Sequence, residues 1–477
     1  MHNRFPYALA LIGVLWCSPA VAAQAEAMRA WVTSNDHTLA LAPLQTTAWR
    51  TTRGDRAAID IALDAGKPDQ AMVGFGASIT DASAWLIQQQ SPAQRDALLR
   101  ELFGREDNGL GLSFTRLTIG ASDFSRFHYS LDDTPDNAPD PQLQHFSIQH
   151  NLADVVPVTQ AALKINPQLK VMASPWSAPA WMKSNRKLVQ GTLDPQYQDA
   201  FARYLLRYVD AYAQQGIPIW ALTVQNEPDF EPKDYPGMRL NAPARGQFIA
   251  QHLGPLLKAR GKDAPLLMDW DHNWDKPNEP MGVLGNADAA QYVDAIAWHC
   301  YMGTPDAQGP VRAAFPDKDV YLTECSGGNW EPLNTGGLVL QARRTVIQSV
   351  RHGARGVIFW NLALDERNGP HAGGCDTCRG VVTIDARSGK VLDRTDEYYA
   401  LAHVSRFVLP GARRVASPDT QGQVDNVAFV NPDGSRVLVV SNSGDAPQAL
   451  TLGEGERRVQ ATLPAKSLAT FTWSSAK

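Results

Sequence analysis

From Met72 onward the chain alternates short apolar runs with amphipathic segments, and this pattern restricts the fold more than any other feature. It is the signature of repeated strand–helix units, which build parallel sheets. Eight runs read as strands: Met72–Gly76, Ser113–Gly120, Lys170–Ser177, Trp220–Glu227, Leu266–Asn273, Ala295–Tyr301, Asp319–Ser326 and Gly356–Leu364. Helix candidates lie between them. In Pro92–Phe103, Ala97, Leu98 and Leu102 share a face; in Gln196–Gln215, Phe201, Leu205, Tyr208 and Tyr212 do. Eight strands alternating with helices over about 330 residues predict an α/β fold, a (β/α)8 TIM barrel with insertions.

The pattern changes after about His403. Val424–Val430, Val437–Ser441, Gln448–Leu452 and Ser467–Trp473 read as β-strands, and Asn431-Pro432-Asp433-Gly434 is a hairpin turn. Before the barrel, Leu39–Leu41 and Ala58–Leu63 are strand-like as well. A fused β-sandwich built from both chain ends follows. At the N-terminus, Arg4, the apolar run Tyr7–Trp16 and the small residues of Ala20-Val21-Ala22 read as a secretory signal peptide, too short to span a bilayer. A lipoprotein anchor at Cys17 is the competing reading, disfavoured by the bulk of Trp16. The predicted organisation is a signal peptide over 1–22, N-terminal strands joining the sandwich over 23–71, the (β/α)8 barrel over 72–403 and the C-terminal sandwich over 404–477.

A secreted or periplasmic location permits disulfides. Cys375-Asp376-Thr377-Cys378 could be a zinc half-site, a redox pair or a local disulfide, and a loop staple suits its glycine-flanked setting best. Cys300 and Cys325, in apolar runs, are expected as buried thiols. The 477-residue chain has Lys+Arg 44 against Asp+Glu 49, a net charge of −5. With a mean hydropathy of −0.28, it suits a globular protein without stable membrane insertion and lacks the basic field that nucleic acid rewards. Nothing in the sequence fixes the oligomeric state.

Barrel strands should be apolar throughout, yet these finish in or run on to Asp81, Arg116, Asp123, Trp176, Asn226-Glu227, His272, His299, Tyr301, Glu324 and Trp360-Asn361. Polar residues at that end mark a barrel's active face, although Asp81 would serve equally as a helix cap. Glu227, at the predicted tip of strand four, and Glu324, at that of strand seven, project from opposite sides toward one cleft. Paired carboxylates suit glycoside hydrolysis: one protonates the leaving oxygen and the other meets the developing oxocarbenium ion. Asn226 suits a donor to the sugar 2-OH. The charge of Glu324 is expected to raise the pKa of Glu227, keeping it the acid, while Arg116 orients an ionised Glu324. Trp176, Trp360 and, with less support, Trp330 are candidate sugar-stacking walls, whereas Trp181 and Trp298 read as packing. His272 and His299 fall on adjacent predicted strands without metal-ligand spacing, so no metal and no cofactor is expected.

At these residues the chain resembles glycoside hydrolase family 30, particularly its glucosylceramidase branch. The resemblance rests on Gly74-Phe75-Gly76 with Thr80-Asp81-Ala82, Asp123-Phe124-Ser125, Ala173-Ser174-Pro175-Trp176, Asn226-Glu227-Pro228 and Trp360-Asn361-Leu362-Ala363-Leu364, in order between about Gly74 and Trp473. It implies retaining hydrolysis with Glu227 as acid/base and Glu324 as nucleophile. It also implies a glycone pocket involving Asp123, Phe124, Trp176, Asn226, His272, His299, Tyr301, Trp330, Trp360 and Asn361. Cys300 departs from the mammalian-type tryptophan at that place, and the Gly369–Cys378 loop has its own sequence. The leading expectation is a β-glucosidase or glucosylceramidase-like enzyme acting on a β-linked glycoside, glycan or glycolipid. The alternatives are an endo-β-1,6-glucanase, β-xylosidase or β-fucosidase of the same family, a metal-dependent barrel hydrolase, or a non-catalytic carbohydrate-binding barrel.

Overall fold

The computed structural model describes residues 1–2, 27–51, 57–330 and 337–474. The signal-peptide reading of 1–22 lies almost entirely outside the described residues. Eight strands form the barrel: β1 (Gly74–Ser78), β2 (Phe114–Ile119), β3 (Lys170–Pro175), β4 (Ile219–Thr223), β5 (Leu266–Asn273), β6 (Ala295–His299), β7 (Asp319–Glu324) and β8 (Ala354–Asn361). They pair in parallel in the order β1-β8-β7-β6-β5-β4-β3-β2. The seam between β1 and β2 is drawn together by Ser113 N–H to Phe75 O at 3.0 Å and Ile79 N–H to Arg116 O at 3.1 Å. Pro92–Phe103 is a helix opened by a capping box between Ser91 and Gln94. The longer helix runs Gln198–Gln214, because Asp194 caps a short 3₁₀ turn over Pro195–Tyr197 ahead of it.

The barrel interior is layered. Phe114, Met172, Ala221, Met268, Ala295, Ala297, Tyr321 and Ile358 pack as one buried apolar cluster across seven strands. Because strand side chains repeat every two residues on one face, the next inward positions toward the C-terminal ends are Arg116, Ser174, Thr223, His299, Thr323 and Trp360. An apolar plug therefore supports a polar layer, which is where barrel enzymes work.

Both chain ends contribute to the second domain. Arg29–Ser34 pairs antiparallel with Ser467–Trp473, and Ile59–Ala71 lies between Arg413–Ala416 and Gln448–Glu454. Leu39–Leu41 is a turn rather than the expected strand, with Leu41 at φ 50°. The Asn431–Gly434 hairpin turn joins Val424–Val430 to Arg436–Asn442, closed by Gly434 N–H to Asn431 O at 2.9 Å. Alternation along these strands divides the packing. Val427, Phe429, Val437 and Val439 join the barrel's core, while Ala428, Leu438 and Val440 fill the sandwich. At the joint, buried His403 contacts the hydroxyls of Thr33 and Thr470, each at 2.9 Å.

Cys300 and Cys325 are disulfide-bonded, with Cα atoms 5.2 Å apart, which corrects the expectation of free buried thiols. A register shift after Trp298 sets His299 opposite Glu324, and the following residues of the two parallel neighbours then face one another. Local apolarity gave no view of that pairing. Cys375 and Cys378 are also bonded, with Cα atoms 5.6 Å apart.

Candidate active site

Glu324 closes β7, and its carboxylate is gripped from two sides. Arg116 Nη1 donates to Oε2 at 2.6 Å, and the Tyr301 hydroxyl donates to Oε1 at 2.8 Å. Arg116 Nη2 donates to Asn226 Oδ1 at 2.8 Å and to Asp271 Oδ2 at 2.7 Å. Asp271 is the hub of the polar layer. Ser174 and Thr223 donate to its Oδ2 at 2.8 Å each, Thr323 donates to Oδ1 at 2.7 Å, and His299 Nε2 lies 3.0 Å from Oδ1.

Glu227 sits beyond β4 rather than on the strand tip predicted from sequence, because the strand ends at Thr223. Its segment stays tucked between neighbours through Asn226 N–H to Pro175 O at 2.8 Å and Glu227 N–H to Asp271 O at 3.1 Å. Glu227 adopts φ 46°, an uncommon backbone state for a side-chain-bearing residue. Its Oε1 lies 3.1 Å from His299 Nδ1 and 3.7 Å from His272 Nε2. Oxygens of Glu227 and Glu324, together with the His299 ring nitrogen, all fall within 4.8 Å of one another. By distance these three could converge on a cation, but hydrogen bonds and the neighbouring Arg116 already engage them.

Trp176 and Trp360, each 2% exposed, stack on one another at 5.0 Å and 19°. The Arg116 guanidinium lies 4.7 Å from the Trp176 ring and 5.5 Å from that of Trp360. Phe124 meets Trp360 edge-on and is fully buried. Asn361 Oδ1 accepts from the Thr80 hydroxyl at 2.8 Å. That threonine caps the helix Asp81–Gln89, so Asp81 is not the cap; it instead accepts from Arg126 Nε at 2.8 Å. Trp330 stands over Gly328, half exposed, outside the buried cluster.

The Gly369–Cys378 loop packs against Asp123 and the aromatic cluster. Ala372 N–H donates to Asp123 O at 3.0 Å, and a side chain on Gly374 would strike the Asp123 side chain. His371 packs on Phe124, and Cys375 and Cys378 join the cluster of Phe124, Trp176 and Trp360. Tyr235, absent from the sequence expectations, packs there too. Also missed were Asp271, Ser174, Thr223 and Thr323. Counting two residues onward from each apolar inward position would have found the three hydroxyls; Asp271 is displaced from that count by a bulge.

The electrostatics reverse one expectation. Burial alone would discharge His299, but the Glu324 charge and its contacts with Asp271 and Glu227 lift its pKa to about 9. Burial opposes ionisation of Glu227 as well, yet the charge of His272 and the hydrogen bond from His299 outweigh it and lower its pKa. Burial dominates for Glu324, whose pKa is raised despite His299 and Arg116, with the Glu227 charge adding to the effect. Asp271 is held far below the carboxylate range, Arg116 and His299 overriding burial. Asp123 is pushed up to about 8 by burial, then by the charges of Glu324 and Glu227.

A parallel barrel with a fused sandwich, carrying paired glutamates and a buried aromatic cluster at the C-terminal strand ends, defines a glycoside hydrolase. Residues 72–408 match the glycosyl hydrolase family 30 TIM-barrel domain and residues 411–471 its β-sandwich domain. The chain belongs to glycosyl hydrolase family 30. It is 34% identical over 436 residues to an endo-1,6-β-D-glucanase of Aspergillus fumigatus, covering 85% of this chain and 86% of that one. It is 30% identical over 437 residues to the lysosomal acid glucosylceramidase of Mus musculus, covering 87% and 83%. Among solved structures, the endo-β1,6-glucanase BT3312 superposes with a TM-score of 0.85 at 30% identity, covering 94% of this chain and 100% of that chain.

Proposed function

We propose that the protein is a secreted retaining β-glycosidase whose substrate is a β-1,6-linked glucan. The observation that carries the mechanism is the approach of oxygens of Glu227 and Glu324 to within 4.8 Å. That leaves room for a sugar's anomeric centre and too little for an interposed water, as in double displacement, where carboxyl groups stand about 5–5.5 Å apart. Glu324 is the nucleophile. Arg116 cannot release its proton, so its 2.6 Å contact aims Glu324 as an anion, and Tyr301 fixes the other oxygen. Glu227 is the acid/base. In the free site the proton rests on His299, 3.1 Å away, and Glu227 is the relay that delivers it to the leaving oxygen. As Glu324 bonds to the anomeric carbon its charge disappears, removing what held the proton on His299. Glu227 then takes a proton from the water that frees the sugar. Arg116 keeps Asn226 at the site through its Oδ1, with the amide NH₂ free to turn toward a sugar hydroxyl.

The swapped assignment, which the lowered Glu227 and raised Glu324 pKa values favour, is separated by azide rescue. With Glu227→Ala and an activated aryl glucoside, azide should give the β-glycosyl azide; with Glu324→Ala, the α-azide. The reverse pairing overturns the roles.

Two disulfides support an oxidising compartment. The 34% identity to an endo-1,6-β-D-glucanase over most of both chains supports the substrate. A glucosylceramidase activity is the second reading, favoured by exposed Met302 and Trp330, which a lipid aglycone could cover. Products from a β-1,6-glucan, glucosylceramide and p-nitrophenyl β-glucoside decide between them. Short oligosaccharides from the polymer are expected; glucose from the lipid with an untouched polymer would move the assignment.

A further inference from the structure

We infer that the Cys300–Cys325 disulfide is a positioning clamp for the reacting carboxylate, setting the Tyr301–Glu324 hydrogen bond. This rests on the reading of Glu324 as the nucleophile. Cys325 follows Glu324 directly, and Cys300 lies between His299 and Tyr301, so the bridge joins the two strands at the residues adjoining those that meet in the site.

The need for such a link is visible in the ladder. β6 and β7 pair in regular register from Ala295↔Asp319 to Trp298↔Leu322, and then slip so that His299 faces Glu324. A slip of this kind locally disrupts ladder hydrogen bonding, and it occurs at the last pair before the site. β6 ends at His299 and β7 at Glu324, so no further ladder follows to hold the strand ends together. The disulfide occupies the next position on both strands and is buried, with Cys300 2% and Cys325 0% exposed. Stabilisation by closing a 25-residue separation would accrue wherever along β6 and β7 the bridge fell; its place beside Tyr301 and Glu324 is what positioning requires. A reducing environment would therefore cost turnover as well as stability.

The test is a cycle of variants assayed on p-nitrophenyl β-glucoside and β-1,6-glucan: wild type, Cys300→Ala/Cys325→Ala, Tyr301→Phe, and all three changes together. Clamp loss should lower kcat/KM roughly ten- to hundredfold, mainly through kcat, the scale expected for misplacing a reacting group by about 1 Å. The acid limb of the kcat/KM profile should move to higher pH, because Glu324 loses a fixed donor. In the Tyr301→Phe background the same clamp loss should cost less than about threefold, since coupled residues are not additive. Equal losses in both backgrounds, or an unmoved acid limb, would overturn the clamp while wild-type turnover leaves the functional reading standing. A wild type without turnover on any of these substrates overturns both. Cys300→Ala/Cys325→Val, which restores volume, serves as a second pair if the first does not fold and carries the same expectations.

Discussion

Asp271→Asn removes one negative charge from the centre of the polar layer while keeping the side chain's shape. In the wild type, His299 is lifted from its ordinary 6.5 to about 9, which corresponds to roughly 3 kcal/mol at about 1.4 kcal/mol per pH unit. Glu324, Asp271 and Glu227 together outweigh a burial that would by itself lower it. Two charges about 4 Å apart interact by roughly 4 kcal/mol at an effective dielectric of about 20, so losing one carboxylate is enough to cancel the whole lift. His299 should then titrate at about 6.5 or below. The sign follows from the raised value: the protonated form, and the stability it contributes, is fully present below 6.5 and is lost as pH rises through about 9. The alkaline limb of kcat/KM should consequently move from near 9 toward about 6–7. At pH 7 a His299 that titrates near 6.5 leaves about a quarter of the sites protonated, so turnover should be roughly fourfold slower there, the deficit growing to roughly hundredfold near pH 9. The assay is a pH profile on an unactivated glucoside beside an imidazole ¹⁵N titration of the folded variant. A folded Asp271→Asn whose alkaline limb and His299 titration stay near the wild-type values would refute the proton-reservoir argument.

Three further perturbations test other parts of the molecule. Burial lowers the His403 pKa from 6.5 to about 3, so the unfolded chain binds the extra proton between those values and stability falls with acidity there. His403→Gln should flatten the dependence of melting temperature on pH below about 6, and an unchanged slope would count against it. Lys183 is buried and donates to Ser177 Oγ, Leu188 O and Gly237 O at 2.9, 2.7 and 2.7 Å. Lys183→Met should therefore cost about 1–3 kcal/mol for each acceptor that water cannot reach, and a denaturant midpoint equal to wild type would show the sites are rehydrated. Trp330 is 52% exposed, so Trp330→Ala should leave stability within about 0.5 kcal/mol. On β-1,6-glucan it should raise KM about three- to tenfold, the scale of one lost aromatic contact; an unchanged KM would remove Trp330 from the substrate path.

The barrel was legible because its determinant is local: apolar runs broken by amphipathic helices are written in order along the chain. The supporting layer was read only in part: Arg116 was singled out at its strand end, whereas Ser174, Thr223 and Thr323 were missed although they stand two residues on from the apolar Met172, Ala221 and Tyr321. What sequence could not supply lies where the period breaks. On β5, Trp270 at φ 76° and Asp271 at φ 53° insert a bulge, and the pairing with β6 slips between Ala297 and Trp298. Strict alternation puts Met268 and Trp270 on one face; the bulge instead turns Asp271 inward, where it meets five other strands through Arg116, Ser174, Thr223, His299 and Thr323. The β6–β7 slip had the same effect on the cysteines, setting Cys300 across from Cys325 although each sits in an unremarkable apolar run. The reversed sign at Glu227 has a related origin. Its sequence neighbours offer no cation, so a reading from neighbours left Glu324 as the charge that mattered. The charges that decide are His272 at the end of β5 and His299 at the end of β6, brought within 3.7 Å and 3.1 Å by the curvature of the barrel. A bulge costs ladder hydrogen bonds and a left-handed residue costs about 1–3 kcal/mol. That the β5 bulge and the β6–β7 slip fall at the C-terminal ends of the strands, beside Glu227 and Glu324, argues that their cost is retained for what they aim: a carboxylate at one imidazole nitrogen and a glutamate at the other.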